Sequence, residues 1–495
     1  MKFIYLIVFF SLLSISCDEE KKASLIWQKS IPRIGSQSSP LASDLNSDDI
    51  LDIVIGAGEN EYQKSAQGVL AIDGLTGDII WQAPCKDQIF GSPTFNDINS
   101  DNIKDVIIGG RSSQLYALNG INGDRIWQYN PEEYSTHPVL KYANKNFYNS
   151  VLVPDSNGDG IKDILISNGG NHEVFQHVRK GREVGVLLVL DAKSGAVIAS
   201  DTMPDGNETY MTPIYVEQED GSKMIVFGTG GETFSGNLYM TRLEDLLNND
   251  LSKSKIIASE KSHGFIAPPA FVDVTNDNIF DIIAISHAGT MSAIDGENLK
   301  NIWQFKIPDT ESSNGLAIGN FTNDDIPDIF TFVSKGKWPW NTGSYQFMLN
   351  GLTGELEYID STACPRLSSP VVYDLNNDEI DEVVFSLDSF DCQGFTSRPP
   401  ENILSQLIAI NFKDKKIIPI DQNDKVKNIF TTPLLADIDS DGYLDIIHAN
   451  YPHSENLGIL LFDGMNIKRT RMPIKMSKPI KWGAYIGSNG DGVYR

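Results

Sequence analysis

The stretch with the clearest chemistry is the acidic loop that runs from Asp437 to Asp445. Side chains that carry oxygen stand at its first, third, fifth and ninth positions, and a glycine at its sixth position permits a tight turn. Oxygen ligands at alternate positions, followed by a later carboxylate, are typical of loops that bind Ca²⁺. The spacing therefore predicts a calcium loop.

The same spacing occurs seven times, at roughly regular intervals except for one that is twice as long. Single Asp or Asn residues often cap turns by bonding their own backbone, but capping does not explain four spaced oxygens that recur. Because a filled loop leaves no open position for substrate, the predicted calcium is structural. The predicted ligands in the seven loops are Asp44, Asn46, Asp48, Asp52, Asp97, Asn99, Asp101, Asp105, Asp155, Asn157, Asp159, Asp163, Asp273, Thr275, Asp277, Asp281, Asn320, Thr322, Asp324, Asp328, Asp374, Asn376, Asp378, Glu382, Asp437, Asp439, Asp441 and Asp445.

The loops differ in expected affinity. Loops 155–163 and 437–445 are the strongest candidates, because each has all four ligands and a glycine at its sixth position. Loop 320–328 is a weaker candidate, since Asn320 has lost one formal charge and Thr322 is a poorer ligand.

Each loop belongs to a longer unit of short apolar segments. These segments are rich in Ile and Val and are broken by Gly, Asp and Asn, a pattern that favours strands and turns. No amphipathic helix is predicted between them. The units are somewhat longer than the ~40–45 residues of common four-stranded blade repeats. The sequence therefore predicts an all-β fold, a single β-propeller that spans residues 25–495.

Eight blades are predicted, with seven or nine left open. Seven units carry an acidic loop, and a degenerate eighth unit without one occupies the long interval around residues 213–240. The segment Leu25–Gln28 matches the tryptophan segment that ends later units, such as Ile80–Gln82. This orphan strand should complete the last unit and close the ring.

The amino-acid composition narrows the possible classes of protein. The formal net charge is −26, yet 41% of the 495 residues are hydrophobic, which is enough for an extensive packed core. Much of the negative charge lies in the acidic loops. Such an acidic chain is not expected to bind nucleic acid.

The N-terminal segment indicates export. Residues 1–16 have the charge and apolar run of a secretory signal peptide, which is too short to span a membrane comfortably. The segment Leu13–Cys17 resembles the lipobox of bacterial lipoproteins. This resemblance implies lipidation of Cys17, a polar tether over residues 17–24, and an outer-membrane lipoprotein that faces the periplasm or the surface.

The cysteines and histidines give weaker indications about disulfide bonds and metal binding. In an oxidising compartment, Cys364 and Cys392 could pair while Cys85 stays buried and free. His172 and His177 are five residues apart and would not share one helical face, so a zinc helix is disfavoured. The other histidines are expected to be hydrogen-bonded core or loop residues.

Two family resemblances cover the predicted propeller. The segments Phe90–Pro93 and Gly264–Pro268, with the acidic loops, resemble the FG-GAP or VCBS repeats of integrin-alpha-type propellers, which implies calcium at the matching positions. The segments Leu70–Trp81 and Leu115–Trp127 resemble the tryptophan repeats of quinoprotein-type (PQQ-like) propellers, and Trp482–Tyr494 resembles their closing segment. Quinoprotein dehydrogenases typically carry an adjacent-cysteine disulfide over the cofactor; this sequence has no Cys-Cys pair, so PQQ is disfavoured.

A candidate ligand site lies in the unit that lacks its own acidic loop. This unit is rich in polar segments bounded by glycine, which could line the mouth of a central channel. The alternative is that they are ordinary glycine-rich blade turns. The candidate residues are Glu208, Thr209, Tyr210, Glu232 and Thr233.

These observations favour a non-enzymatic envelope lipoprotein, a calcium-stabilised propeller that binds or scaffolds a protein or glycan partner. Two alternatives stay open. One is an envelope assembly scaffold that resembles the lipoprotein of the barrel-assembly machinery, and the other is a propeller polysaccharide lyase. Enzymatic activity is disfavoured because no nucleophile–base pair can be identified.

Overall fold

The chain folds as an eight-bladed β-propeller of antiparallel sheets with four strand positions each. The computed structural model describes residues 23–171, 173–175, 177–218, 220–322, 324–338, 340–361, 364, 367–389, 403–453, 458 and 461–495. The predicted fold class and blade number are confirmed. The predicted signal peptide, Cys17 and most of the tether lie outside the described residues.

The first strand, β1, spans Ser24–Pro32. Blade 1 contains β2 (Leu41–Ser43), β3 (Asp52–Gly56), β4 (Ser65–Ile72) and β5 (Ile79–Cys85). Blade 2 contains β6 (Thr94–Asn96), β7 (Asp105–Gly109), β8 (Leu115–Leu118) and β9 (Arg125–Gln128). Blade 3 contains β10 (Asn146–Phe147), β11 (Val151–Val153), β12 (Asp163–Gly169), β13 (Val186–Leu190) and β14 (Val197–Thr202). Blade 4 contains β15 (Ile214–Glu217), β16 (Lys223–Gly228), β17 (Gly236–Arg242) and β18 (Lys255–Glu260).

The second half of the ring repeats this plan. Blade 5 contains β19 (Ala270–Val272), β20 (Asp281–Ile285), β21 (Thr290–Ile294) and β22 (Asn301–Lys306). Blade 6 contains β23 (Thr310–Glu311), β24 (Ala317–Gly319), β25 (Asp328–Lys335), β26 (Gly343–Leu349) and β27 (Leu356–Asp360). Blade 7 contains β28 (Val371–Tyr373), β29 (Glu382–Ser389), β30 (Leu404–Asn411) and β31 (Lys416–Asp424). Blade 8 contains β32 (Val426–Lys427), β33 (Leu434–Ala436), β34 (Tyr443–Pro452) and β35 (Gly464–Lys475), and β1 is its outer strand.

The N-terminal strand closes the ring, as the sequence predicts. Strand β1 pairs antiparallel with β35, and Trp27 lies opposite Arg469 in this register. The last blade is thus completed by the start of the chain. Pairing β1 with β35 in one sheet covers the strand edges that an open ring would expose.

Tryptophans on outer strands lock neighbouring blades together. The Trp81 indole donates to the Gly120 carbonyl of the next blade at 2.7 Å. Gly123 has φ of +73°, and a Cβ there would lie 2.6 Å from the Trp81 ring. Trp27, Trp127 and Trp303 make the corresponding hydrogen bond to the next blade. The tryptophan repeat is therefore an inter-blade clamp.

The C-terminal segment runs through the centre of the ring rather than closing it. Its backbone bridges the innermost strands of blades 5 and 7, where Val493 meets Phe271 and Trp482 meets Val372. The Trp482 indole also donates to the Leu316 carbonyl at 2.8 Å. Beside this segment, a cavity of about 520 Å³ remains along the inner strands of blades 8, 1, 2 and 3.

Antiparallel strands divide the connections between two ends of the ring. We call the end that carries the connections between first and second strands, and between third and fourth strands, the acidic-loop face. The opposite face carries the connections between second and third strands and those between blades.

Blade 4 lacks the acidic loop, as predicted, and has a short hairpin between β15 and β16. Its third connection contains a short helix, α1 (Leu243–Leu247), which the sequence analysis did not predict. Leu243 and Leu246 of this helix are buried. In the described part of the chain, three 3₁₀ turns span Pro131–Tyr134, Leu140–Tyr142 and Leu251–Lys253. Among the described residues, no helix has the length and apolar character needed to cross a membrane.

Candidate functional site

Six of the seven acidic loops share one backbone conformation, which loop 155–163 illustrates. Its fourth and sixth residues, Gly158 and Gly160, have φ of +82° and +88°. The first carboxylate accepts the sixth N–H, with 2.8 Å between Asp155 Oδ2 and the Gly160 nitrogen. The fifth accepts the seventh N–H, with 2.9 Å between Asp159 Oδ1 and the Ile161 nitrogen. The backbone thus directs the first and fifth side chains toward the loop interior.

The ninth carboxylate anchors each loop to its blade. In every loop it accepts the N–H of the second residue, as Asp52 does from Leu45 at 3.0 Å. Asp52 also accepts the N–H of Gly74, in the turn after the third strand, at 3.1 Å. Burial raises the pKa of Asp52 to about 6 and the pKa of Asp328 to about 7. Asp52 therefore ties two connections of one blade together.

Loop 320–328 departs from this plan. The Asn320 side-chain amide donates to the Glu379 carbonyl of the next blade at 3.2 Å. The Asn320 N–H also donates to Asp381, at 2.9 Å. The first ligand position is thus engaged with the neighbouring loop. This geometry agrees with the low rank that the sequence gives to this loop.

Loop 437–445 has three converging carboxylates, and two arginines contact two of them. One oxygen each of Asp437, Asp439 and Asp441 lies within 4.8 Å of the others. Arg471 stands 2.6 Å from Asp439 and 2.7 Å from Asp441. Buried Arg469 stands 2.7 Å from Asp439.

The way in which the ring closes explains why Arg469 contacts this loop. The outer strand of blade 8 comes from the N-terminus, so β35 has no following turn whose glycine could bond the ninth carboxylate. The Arg469 guanidinium bonds Asp445 instead, at 2.7 Å, and it also donates to the Gly74 carbonyl at 3.1 Å. Arg469 and Arg471 thus pair with carboxylates that the sequence predicts as calcium ligands, a feature that the ranking by spacing missed.

The predicted ligand residues of blade 4 lie on the opposite face, where Glu208 and Tyr210 meet an arginine from blade 3. Arg182 Nη1 lies 2.7 Å from Glu208 Oε1 and 2.5 Å from the Tyr210 hydroxyl. Burial raises the pKa of Glu208, while the positive charge of Arg182 opposes this rise. The cluster is a partly buried, charge-assisted hydrogen-bond network.

Arg182 also fixes the long blade 3 connection that contains it. Its guanidinium donates to the backbone carbonyls of Val174, Phe175 and Val178 at 3.1, 3.2 and 3.0 Å. The Phe175 side chain at the tip is 87% exposed. A single partly buried arginine thus holds the backbone of a loop that presents an aromatic ring to solvent.

The remaining predicted ligand residues have different surroundings. The Thr209 hydroxyl is buried and donates to the Gly228 carbonyl at 2.7 Å, which is a contact within the blade. Glu232 is partly buried, and its pKa is raised by burial and also by Glu311 and Glu208. Thr233 is partly exposed on the same connection.

A second polar cluster on this face involves His263, His287 and Glu311, which come from blades 5 and 6 and the connections before them. His263 Nε2 lies 3.5 Å from Glu311 Oε1, and His287 Nε2 lies 3.8 Å from Glu311 Oε2. All three residues are buried. Burial lowers the pKa of His287 to about 4. The sequence predicts only that both histidines are hydrogen-bonded core or loop residues, and nothing in their spacing predicts that they meet.

The described residues include only part of what is needed to test the predictions about the cysteines and about the zinc helix. Cys364 is disulfide-bonded, and Cys85 is free and buried. Cys392, the predicted partner of Cys364, lies outside the described residues. His172 also lies outside them, so the spacing argument against a zinc helix stays a prediction.

Comparison with known proteins identifies the family. A model of the FAM234A/B beta-propeller matches residues 59–338, more than half of the chain. The chain belongs to the FAM234A/B beta-propeller family. Human protein FAM234B is 20% identical over 379 residues, which cover 70% of this chain and 56% of the relative. This FAM234-type chain therefore spans little more than half the length of that curated relative.

Solved structures show the same architecture at low identity. A europium-containing methanol dehydrogenase has a TM-score of 0.59 at 10% identity, with 91% of this chain and 93% of that chain covered. BamB from Moraxella catarrhalis has a TM-score of 0.50 at 13% identity, with 92% and 100% covered. These likenesses place the FAM234-type propeller among PQQ-like and BamB-type folds, and at this identity they concern the fold alone.

Proposed function

We propose that this chain is a partner-binding propeller that docks a protein on its opposite face. The observation that carries the proposal is the position of its exposed aromatic side chains. Tyr62, Phe175 and Trp340 are 56%, 87% and 68% exposed. Each lies in the connection between the second and third strands of its blade. Aromatic side chains are enriched in protein interfaces, where they supply much of the binding energy.

The acidic-loop face presents a different surface. Its exposed large apolar residues are Leu75, Ile121 and Leu352, at equivalent positions of repeated turns. Isolated aliphatic residues on a surface are ordinary in soluble proteins. The aromatic groups therefore favour the opposite face as the docking surface.

Preorganisation supports Phe175 as a principal contact. The ion pair of Arg182 and Glu208 fixes the loop before any partner arrives. A loop that is already ordered loses less conformational entropy when it binds. Guanidinium groups of Arg179 and Arg182 also stack on Phe234, 5.3 and 5.4 Å from its ring centre.

A cross-linking experiment tests this assignment. A photo-reactive phenylalanine analogue replaces Phe175 in the full chain, which is then irradiated in its native cells. The matched control carries the analogue at Leu75 on the other face. We expect a discrete protein adduct from position 175 and none from position 75. Equal adducts, or an adduct from position 75 only, would contradict the proposal, and a glycan-sized adduct would assign the surface to sugars.

Calcium completes the proposal as a structural ion in the acidic loops. Support comes from the inward-facing oxygens of loop 155–163. Ca²⁺ at these positions would join the first two strands of a blade. The ion would stiffen the platform and take no part in chemistry.

The envelope location is part of the proposal and rests on the sequence alone. The lipobox-like segment that ends at Cys17 favours an outer-membrane lipoprotein. Labelling with a clickable fatty acid tests this point. Label on the wild-type chain that is absent from Cys17→Ser is expected, and label on both would exclude Cys17 as the anchor.

A further inference from the structure

The Arg471 guanidinium joins two predicted ligand positions of loop 437–445. Its Nη2 atom lies 2.6 Å from Asp439 Oδ2 and 2.7 Å from Asp441 Oδ2. Asp439 and Asp441 are the third and fifth residues of the loop, where a calcium ion would take two of its ligands. One atom of Arg471 thus makes the link between these positions that a bound cation would make.

The Arg469 guanidinium joins two positions of the same loop in the same way. Its Nη2 atom lies 2.7 Å from Asp439 Oδ2, at the third position, and 2.7 Å from Asp445 Oδ2, at the ninth. The side chains of Arg469 and Asp445 are fully buried, so salt in the solvent screens this pair little. Two positive charges of the chain itself are therefore set among the carboxylates of this loop.

Loop 155–163 is the natural comparison, because the sequence gives it the same rank as the loop of blade 8. Its carboxylates are Asp155, Asp159 and Asp163, and none of them forms an ion pair with a described residue. Asp163 accepts instead from neutral donors, the N–H and the hydroxyl of Ser156. The two loops share their spacing and differ in the presence of arginine.

A calcium ion in loop 437–445 would lie close to these positive charges. Calcium binds carboxylate oxygens at ~2.3–2.6 Å, so an ion on Asp439 Oδ2 would lie within about 5 Å of the Arg471 nitrogen that contacts the same oxygen. Arginine stays protonated in proteins, and like charges at this distance repel each other. The arginines and calcium therefore compete for the same oxygens.

The loop of blade 8 lies at the seam where the ring closes, between blade 8 and blade 1. Arg469 donates to the Gly74 carbonyl of blade 1 at 3.1 Å, and the Trp27 indole donates to the same carbonyl at 2.9 Å. The Leu51 N–H of blade 1 donates to the Ile438 carbonyl of the loop, also at 2.9 Å. The loop and its arginines thus take part in the contact that holds the last blade to the first.

We propose that Arg469 and Arg471 take the place of calcium in loop 437–445, so that the ring stays closed when calcium is withdrawn. The inference rests on the proposed function in taking calcium as the structural ion of the other loops. The guanidinium groups belong to the chain, so no change in calcium concentration removes them from the seam. Calcium then stiffens individual blades without controlling ring closure. The proposal reverses the rank that the spacing gives to this loop.

Counting bound calcium tests whether the arginine excludes the ion. The full chain and its Arg471→Met variant are compared by equilibrium dialysis, since methionine fills much of the same space and removes the charge. Asp439 Oδ1 and Asp445 Oδ1 are buried and have no hydrogen-bond partner among the described residues, so an ion can bind them. We expect Arg471→Met to bind one calcium ion more than the wild type. Because the expected result is a gain, a misfolded variant would not show it.

Further variants check where the added ion binds. Arg471→Met combined with Asp441→Ala should lose the added ion, because one of its ligands is missing. Asp441→Ala in the wild-type background should leave the calcium count unchanged. Arg125→Met is the matched control, because Arg125 contacts Gln128 rather than a carboxylate. It should bind as many calcium ions as the wild type.

Hydrogen exchange follows the seam itself. In the wild type, chelation of calcium should leave the exchange of β1 and β35 unchanged and should speed that of β11 and β12, which loop 155–163 joins. In Arg471→Met, chelation should speed the exchange of β1 at least tenfold. The proposal is overturned if Arg471→Met gains no calcium ion, or if chelation speeds the exchange of β1 in the wild type.

A separate variant distinguishes this proposal from the proposed calcium role of the other loops. Asp159→Ala should lower the calcium count by one, because it removes a ligand from loop 155–163. An unchanged count would contradict calcium in that loop. The gain or absence of an ion in Arg471→Met would still decide the role of the arginines.

Discussion

The two faces of this propeller are built from opposite kinds of connection. On the acidic-loop face, the same hydrogen bonds recur from blade to blade, and the ninth carboxylate of each loop bonds its own backbone. On the opposite face, connections differ in length and composition, and their side chains bond across blades, as Arg182 does with Glu208. Repetition on one face builds the ring, while variation on the other creates individual sites.

The largest expected difference concerns the ninth carboxylate. Asp105→Ala should leave the buried N–H groups of Ile98 and Gly120 without their acceptor, because Asp105 now accepts both. The expected loss is about 4 kcal/mol in the free energy of unfolding, measured by urea denaturation. Asp124→Ala, at an exposed residue of a nearby turn, is the control and should lie within about 0.5 kcal/mol of wild type. Equal losses would show that the acidic-loop face is not anchored in this way.

A glycine pair compares the two faces at equal backbone strain. Gly123, on the acidic-loop face, and Gly206, on the opposite face, have φ of +73° and +72°. A Cβ at position 123 would lie 2.6 Å from the Trp81 ring, whereas position 206 has no atom within 4 Å. Gly123→Ala should cost about 3 kcal/mol and Gly206→Ala about 1 kcal/mol in unfolding free energy. Similar costs would argue against the tryptophan clamp.

Calcium removal tests the acidic loops directly. Each independent site adds ~2.7 kcal/mol of stability at a hundredfold excess of calcium over its dissociation constant. We therefore expect chelation to lower the melting temperature. Asp159→Ala should reduce this calcium-dependent shift more than Asp324→Ala, because loop 320–328 turns its first ligand toward blade 7. An unchanged melting temperature after verified metal removal would defeat the calcium proposal.

Repeated features were predictable from the sequence because every copy adds to one signal. The acidic spacing and the tryptophan segments correctly predicted the fold, the ring closure by β1 and the number of blades. Helix α1 could not be predicted from the sequence, because Leu243–Leu247 is too short to show helical periodicity. Its buried leucines resemble one more strand segment.

Single-copy features were not predictable in the same way. Glu208 and Tyr210 stood out by composition, but their partner Arg182 lies in another blade and had no local signal. His263, His287 and Glu311 are far apart in sequence and meet only because adjacent connections lie side by side. Likewise, Arg469 follows from the absence of a turn in the closing blade rather than from any motif.

The most direct test of the division between faces compares Phe175→Asp with Leu75→Asp. Both residues are exposed, at 87% and 50%, so neither change should shift the free energy of unfolding by more than about 0.5 kcal/mol. Affinity is measured for the partner captured through position 175. The account predicts at least tenfold weaker binding for Phe175→Asp and unchanged binding for Leu75→Asp. Equal affinities for the two variants, or a greater loss for Leu75→Asp, would contradict it.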